Sequence, residues 1–339
     1  MEKLLKKGHH GVIARFNAIQ AFEPNSLHIH PEMQQILNNH LPAFDKPHEL
    51  PPSRGEHDHS ITLVPRDQPP NVHPYRYPFA QKNEIEKIIK ELLEAGVICP
   101  SISPYSSPVV MVLKKDGEWR MCPDFKDLNK LTVKDKFPIP VVDDLLDELN
   151  GAQFFTKLDL RSGYHQIHMK EVNIPKTAFR THEGHYEFLV MPFGLCNAPS
   201  TFQSLMNHLL KPYLKKFVLV FFDDILIYSF TWVAHLQHVD LLLQLLCKHK
   251  LFVKMSKCSF GMEEVEYLGH IVGRDGVKVD PKKIQAMHEW PQPKTLKSLR
   301  GFLGLTGYYR KFVRNYGCIA RPLTQLLKRN SFLWNDETQ

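Results

Sequence analysis

The sequence predicts an α+β fold built around an antiparallel sheet. Three observations carry that expectation. Phe217–Tyr228 is the most hydrophobic stretch of the chain and is rich in β-branched and aromatic residues, so it reads as two buried strands. Asp223 and Asp224 interrupt it, which places a sharp turn between the strands. Around this hairpin the periodicity gives the order strand, helix, hairpin, helix, strand.

Residues 1–70 read as a Pro-rich tail or linker. More than half of the 25 prolines fall within residues 24–108, and proline runs continue neither a helix nor a central strand. His28, His30, His40, His48, His57 and His59 lie there without a helix or hairpin to set ligand geometry, so they are not taken as a metal site. Helical periodicity begins near Gln81, with Ile85, Ile88, Ile89, Leu92 and Leu93 on one stripe and Gly96 as its C-cap. Val109–Leu113 and Glu118–Cys122 form a hairpin through Lys114-Lys115-Asp116-Gly117. Val141–Leu149 is a short helix, and Phe154–Leu160 is a strand that ends around Asp159. Thr177–Arg180 and Tyr186–Val190 flank a turn at Gly184. Amphipathic helices cover Ala198–Leu214 and His235–His249, on either side of the acidic hairpin. Leu251–Cys258 and Val265–Val272 read as further strands, and from Pro281 onward the chain is helical and basic.

A chain of 339 residues holds one large domain or two to three smaller ones. Its 43% hydrophobic and 23% charged content is that of an ordinary globular protein. No window approaches the ~20 apolar residues of a membrane span. The six cysteines are scattered, which argues against a zinc site or a disulfide framework and fits a reducing compartment. The net charge of +7 is concentrated toward the C-terminus. Residues 276–330 hold twelve Lys/Arg and two Asp/Glu, a balance that suits a polyanion such as nucleic acid.

Carboxylates beside buried strands are costly unless a charge compensates them, and a hard divalent cation is an economical compensation. Adjacent strands lie about 4.8 Å apart, so Asp159 at one strand end and Asp223-Asp224 at a neighbouring turn can share metal. Two cations bridged by carboxylates are the arrangement for in-line phosphoryl transfer. Two lures fail. His182-Glu183-Gly184-His185 lacks the His-Glu-x-x-His spacing, and Gly301, Gly304 and Gly307 do not match a dinucleotide fingerprint.

With these residues placed, the sequence resembles the reverse transcriptase of gypsy-type LTR retrotransposons, plant elements in particular. The resemblance runs from about Asp58 to Trp334. It rests on Trp119–Phe125, Leu158–Ile167, Lys176–Arg180, Gly184–Leu195, Phe221–Ser229, Tyr267–His270 and Gly301–Arg310. It implies a right-hand polymerase of fingers (71–155, with 171–195 returning), palm (156–275) and thumb or connection (276–330).

The same resemblance implies the site. Asp159 and Asp223 hold two Mg²⁺ ions, with Mn²⁺ as a substitute, and Asp224 is the third catalytic and metal-site candidate. The Leu160 carbonyl completes a metal shell. Arg120, with Lys114 or Lys115, clamps the triphosphate. Tyr164 sits under the incoming sugar and rejects a 2′-OH, against the plainer reading of a packed tyrosine. Phe193 and Gly194 contact nucleotide and template. Lys257, in competition with Lys254, protonates the pyrophosphate. Leu268 and Gly269 hold the primer end, and Arg300, Tyr308, Tyr309, Arg310 and Lys311 lie along the duplex, with helix packing an equal reading for the tyrosines. Phe221 stands where many members carry tyrosine, which removes a hydroxyl but no metal ligand.

The implied partners are an RNA template, a DNA or tRNA primer, the RNA–DNA hybrid and dNTPs, with no membrane, in a cytoplasmic retrotransposon particle. Residues 331–339 resemble the lead-in to an RNase H domain and the Pro-rich start resembles a linker after a protease, implying a piece of a polyprotein. Two other readings stand beside polymerase activity: an inactive remnant that binds nucleic acid, and an RNA polymerase of the same palm, which Tyr164 opposes.

Overall fold

The computed structural model describes residues 29–47, 49–65, 68–113, 117, 119–328 and 331–334. In chain order its first elements are α1 (Pro31–Asn39), α2 (Phe79–Glu94), β1 (Ile98–Pro100), β2 (Val109–Leu113), β3 (Trp119–Pro123), α3 (Lys126–Leu131) and α4 (Val142–Asp147). The middle comprises β4 (Phe154–Asp159), β5 (Phe179–Arg180), β6 (His185–Phe188), α5 (Ala198–Leu210), β7 (Val218–Phe221), β8 (Asp224–Ser229), α6 (Trp232–Lys248) and β9 (Ser259–Met262). Next come β10 (Glu264–Tyr267), β11 (His270–Gly273), β12 (Gly276–Val279), α7 (Pro281–His288), α8 (Leu296–Tyr308) and α9 (Tyr316–Gln325).

The central sheet has the antiparallel order β7-β8-β4-β9. Val218, Val220, Ile225, Ile227 and Leu158 face one side, where they pack in one core with residues of α5 and α6. Leu219, Leu226, Tyr228 and Phe155 face the other, toward α4 and the β10–β11 hairpin. Both faces are covered, so alternate residues point into two different cores and both must be apolar. That is why Phe217–Tyr228 reads as a continuous apolar run rather than an alternating one.

A smaller sheet, β1-β6-β5, and the β2-β3 hairpin enclose a third core with α2, formed by Ile85, Ile89, Ile98, Val109, Phe179 and Phe188. α2 ends in a Schellman motif. Gly96 takes φ +66°, its N–H donates to the Leu93 carbonyl, and Val97 N–H donates to the Leu92 carbonyl.

The structure corrects several expectations. Residues 31–47 and 49–65 are not a loose tail, and residues 1–28 of the expected tail lie outside the described residues. Proline opens α1, where its missing N–H costs nothing, and Met33 and Leu37, four apart on one face, are fully buried in the main core. Arg54 donates to the carbonyls of Gln166 and His249, pinning the segment that follows. A single apolar pair between prolines is too short a signal for periodicity to reveal. The helix expected to reach Leu214 stops at Leu210, just ahead of the Lys211-Pro212 step. Leu251–Cys258 is not a strand: Val253 makes one bridge to Leu160, and Met255–Lys257 is a 3₁₀ turn. Val265–Val272 divides into β10 and β11 around Leu268-Gly269, both at positive φ. Among the described residues, no helix is long and apolar enough to cross a membrane.

Two histidines are locked inside this core. His59 bonds the Thr201 hydroxyl, and His235 lies between the Thr156 and Ser229 hydroxyls. Burial pushes both imidazoles down to about 4 and holds them neutral. An unfolded histidine takes its proton near pH 6.5, so between pH 6.5 and 4 the unfolded chain binds more protons and stability falls as pH falls. Urea unfolding is expected to lose about 2 kcal/mol per histidine between pH 7.5 and 5. Phenylalanine at either position should flatten that slope, and an unaltered slope in both variants would refute the assignment.

Candidate active site

The acidic hairpin closes through a two-residue turn, Phe222-Asp223, because Phe221 pairs directly with Asp224. On the other side of β8, Asp224 pairs with Asp159. The register therefore gathers three carboxylates at one end of the central sheet, from strands far apart in sequence. Phe222 adopts φ +51°, a left-handed backbone that is costly for a bulky residue.

The three acids differ in their surroundings. Asp224 pairs with Lys157 at 3.0 Å, and Asp159 faces Lys257 at 3.3 Å. Asp223 has neither kind of partner: its Oδ1 is buried and finds no hydrogen bond among the described residues. Burial and the charges of Asp159 and Asp224 push its carboxyl up to about 6, with Lys257 acting in the opposite sense. An under-compensated anionic pocket with an orphan carboxylate oxygen fits a cation. A trio whose ligand atoms all lie within 4.8 Å occurs elsewhere among the described residues, at exposed Glu86, His182 and Glu183. The three aspartates do not form a trio that close.

Lys257 is brought to Asp159 by the turn that was expected to be a strand. Lys254 N–H donates to the Asp159 carbonyl, and the Gln166 side chain binds both N–H and C=O of Phe252 and the Arg161 carbonyl. Buried Leu160 bridges to Val253 in the same seam.

Tyr164 stands on a 3₁₀ turn, Gly163–Gln166, that follows Asp159. Its ring lies 4.9 Å from Phe193 and 5.6 Å from Phe202. Burial and the nearby Asp223 charge raise its hydroxyl pKa. Gly163 leaves room for the acid: a Cβ there would stand 3.0 Å from Asp223 Oδ1 and 3.1 Å from the Phe202 ring. The Arg120 guanidinium lies over the Phe193 ring at 5.7 Å. Gly194, at φ +96°, accepts a hydrogen bond from the Asn129 side-chain amide on its carbonyl, and a Cβ there would stand 3.2 Å from the Pro123 carbonyl. Thus Asp223, Tyr164, Phe193 and Arg120 form one continuous wall. Lys114 and Lys115 lie outside the described residues.

Leu268 and Gly269 form the turn between β10 and β11, with φ of +49° and +77°. Two adjacent tyrosines at the C-terminal end of α8 hold this turn: Tyr308 Oη donates to the Leu268 carbonyl and Tyr309 Oη to the Gly269 carbonyl, each at 2.9 Å. Both hydroxyls are thus engaged in helix-to-hairpin packing. A Cβ on Gly269 would meet the Tyr309 hydroxyl at 2.9 Å, which explains the glycine. Lys311 pairs with Asp143 on α4 at 2.6 Å.

Sequence reasoning missed Lys157, Phe202 and Gln203. Lys157 had a visible signal, since it shares a strand face with Asp159 two residues on. Gln203 had a weaker one, a lone amide on the apolar stripe of α5.

Comparison with known proteins bears on these features. The profile of the family described as reverse transcriptase (RNA-dependent DNA polymerase) matches residues 112–272. The chain is 44% identical over 308 residues to the Retrovirus-related Pol polyprotein from transposon opus of Drosophila melanogaster, covering 88% of this chain and 31% of that polyprotein. It is 43% identical over 246 residues to the Pol polyprotein from transposon gypsy of the same species, covering 71% of this chain and 24% of the relative. The chain therefore spans about a third or less of these relatives' length. A foamy viral protease-reverse transcriptase in complex with double-stranded DNA has the same fold, with TM-score 0.81 at 24% identity, over 92% of this chain and 56% of that one. The foamy viral enzyme in complex with an RNA/DNA hybrid gives 0.78 at 24% identity, over 91% and 43%. These relatives are animal and viral, so the plant-element part of the expectation rests on the motifs alone.

Proposed function

With residues 112–272 forming a reverse transcriptase (RNA-dependent DNA polymerase) domain of the gypsy-type retrotransposon kind, we propose that the chain adds dNTPs to a primer 3′-OH on an RNA template. The observation that carries this reading is the strand-end trio Asp159, Asp223 and Asp224 with its orphan Asp223 oxygen. Asp159 and Asp223 would hold two divalent cations, Mg²⁺ or Mn²⁺ in its place, with the Leu160 carbonyl beside them. Cations held there would supply the charge that activates a 3′-OH and neutralises a leaving pyrophosphate. Asp224, already paired with Lys157, supports the field of the pair.

The remaining residues bind and orient. Arg120, stacked on Phe193, contacts the triphosphate, together with Lys114 or Lys115 from the hairpin tip. Phe193 and Gly194 offer a flat ring and an open backbone to nucleotide and template. Lys257, which faces Asp159, gives a proton to the pyrophosphate on this reading, and Leu268-Gly269 supports the primer end. Fingers (71–155 and 171–195), palm (156–275) and thumb (276–330) would enclose an RNA–DNA hybrid, with the basic thumb along its phosphates. The primer is DNA or tRNA, and the setting is a cytoplasmic retrotransposon particle.

Primer extension on an RNA template tests the reading. Extension with dNTPs and Mg²⁺ is expected, abolished by EDTA and restored by excess Mg²⁺ or Mn²⁺. A folded chain that shifts a primer–template duplex yet extends nothing would favour the inactive remnant.

A further inference from the structure

The geometry points to Gln203 as the positioning residue that fixes the turn carrying Asp223. This inference rests on the polymerase reading for its effect on rate, but its structural basis is independent of it. Gln203 is fully buried on the core face of α5, among Phe202, Leu205, Met206 and Leu210. A primary amide in such a place is costly unless every polar atom is bonded. Its Oε1 accepts the Phe222 N–H at 2.8 Å, and its Nε2 donates to the Val220 carbonyl at 3.2 Å and to Asn207 Oδ1 at 2.9 Å. Both N–H donors and the acceptor are therefore used.

The two backbone partners flank Phe221, so one side chain spans the end of β7 and the first residue of the turn. Phe222 is the residue held at φ +51°. A left-handed phenylalanine persists only where its surroundings over-determine it, and the bond from Phe222 N–H to Gln203 is such a constraint. Fastening α5 to the sheet would need only the Val220 bond. The bond to Phe222 reaches the turn itself, one residue before the orphan carboxylate. The preceding residue, Phe202, borders Gly163 from the other side: a Cβ on that glycine would stand 3.1 Å from the Phe202 ring and 3.0 Å from Asp223 Oδ1. Gln203 thus fixes the backbone of the residue from which the chain enters Asp223.

The test uses the full chain with Gln203→Met and Gln203→Glu, read by primer extension and by amide hydrogen exchange. Gln203→Met keeps the volume and removes every bond. It is expected to lower kcat about 30-fold, with KM for dNTP within about threefold, because small misplacements of reacting groups cost up to ~10² in rate. Phe222 amide exchange should rise at least tenfold, while the Ile225–Tyr228 amides stay unchanged. Gln203→Glu keeps an acceptor, and is expected to keep Phe222 protected and to lose less than about fivefold in kcat. Unchanged exchange at Phe222 in Gln203→Met overturns the inference, as does a loss of kcat in Gln203→Glu as large as that in Gln203→Met. If the wild type extends no primer, the polymerase reading fails while the exchange result still judges the role of Gln203.

Discussion

Asp223→Asn is expected to abolish nucleotide addition, lowering kcat by about 10³-fold or more, roughly 4 kcal/mol of transition-state stabilisation. The substitution keeps size and shape and removes one charge. That charge belongs to the one carboxylate of the three that, among the described residues, lacks an ion pair and whose buried oxygen lacks a hydrogen bond. Stability should move the other way. The Asp223 carboxyl sits at about 6 against an ordinary value of 3.8, so ionising it costs the fold stability as pH rises through that range. A neutral asparagine escapes the cost, and the thermal midpoint at pH 7.5 should hold or rise. Loss of activity with retained or greater stability marks a residue kept for chemistry. Wild-type activity in Asp223→Asn, or an equal loss of activity and folding, would contradict that role. Asp224→Asn is expected to cost less, because it mainly frees Lys157.

Tyr164→Val is expected to lower discrimination against ribonucleotides about 10²-fold, roughly 3 kcal/mol. The ring packs against Phe193 and Phe202, at 4.9 and 5.6 Å between centroids, which restricts its movement. A fixed edge that rejects an added 2′-OH works by collision, and removing the ring removes the collision. Tyr164→Phe should retain discrimination, since on this reading the ring rather than the hydroxyl would make the contact. The ratio of kcat/KM for dNTP to that for rNTP measures it directly. A ratio unchanged in Tyr164→Val would return Tyr164 to a packing role.

Much of the fold was readable because it rests on local signals. The Ile85–Leu93 stripe and Gly96 mark a helix and its end, and the apolar run broken by Asp223-Asp224 marks a doubly buried hairpin. Where reading failed, the local signal was short or pointed elsewhere. Met33 and Leu37 are too few to announce α1 between prolines. Leu251 and Val253 alternate like a strand, but the polar residues after them turn the chain and deliver Lys257 to Asp159.

The sequence by itself determined the residue types and strand ends: three acids, an aromatic five residues past the first, and a basic C-terminal block. Only the tertiary structure decided how the acids differ. Sheet register sets Asp159 against Asp224, a diagonal across β4 and β8 brings Lys157 to Asp224, and the 3₁₀ turn brings Lys257 to Asp159. Asp223 is left at a left-handed turn braced by Gln203. The physical reason is range. Periodicity and turn chemistry act over a few residues, whereas the field on a carboxylate is the sum of charges and burial supplied by segments up to about a hundred residues apart.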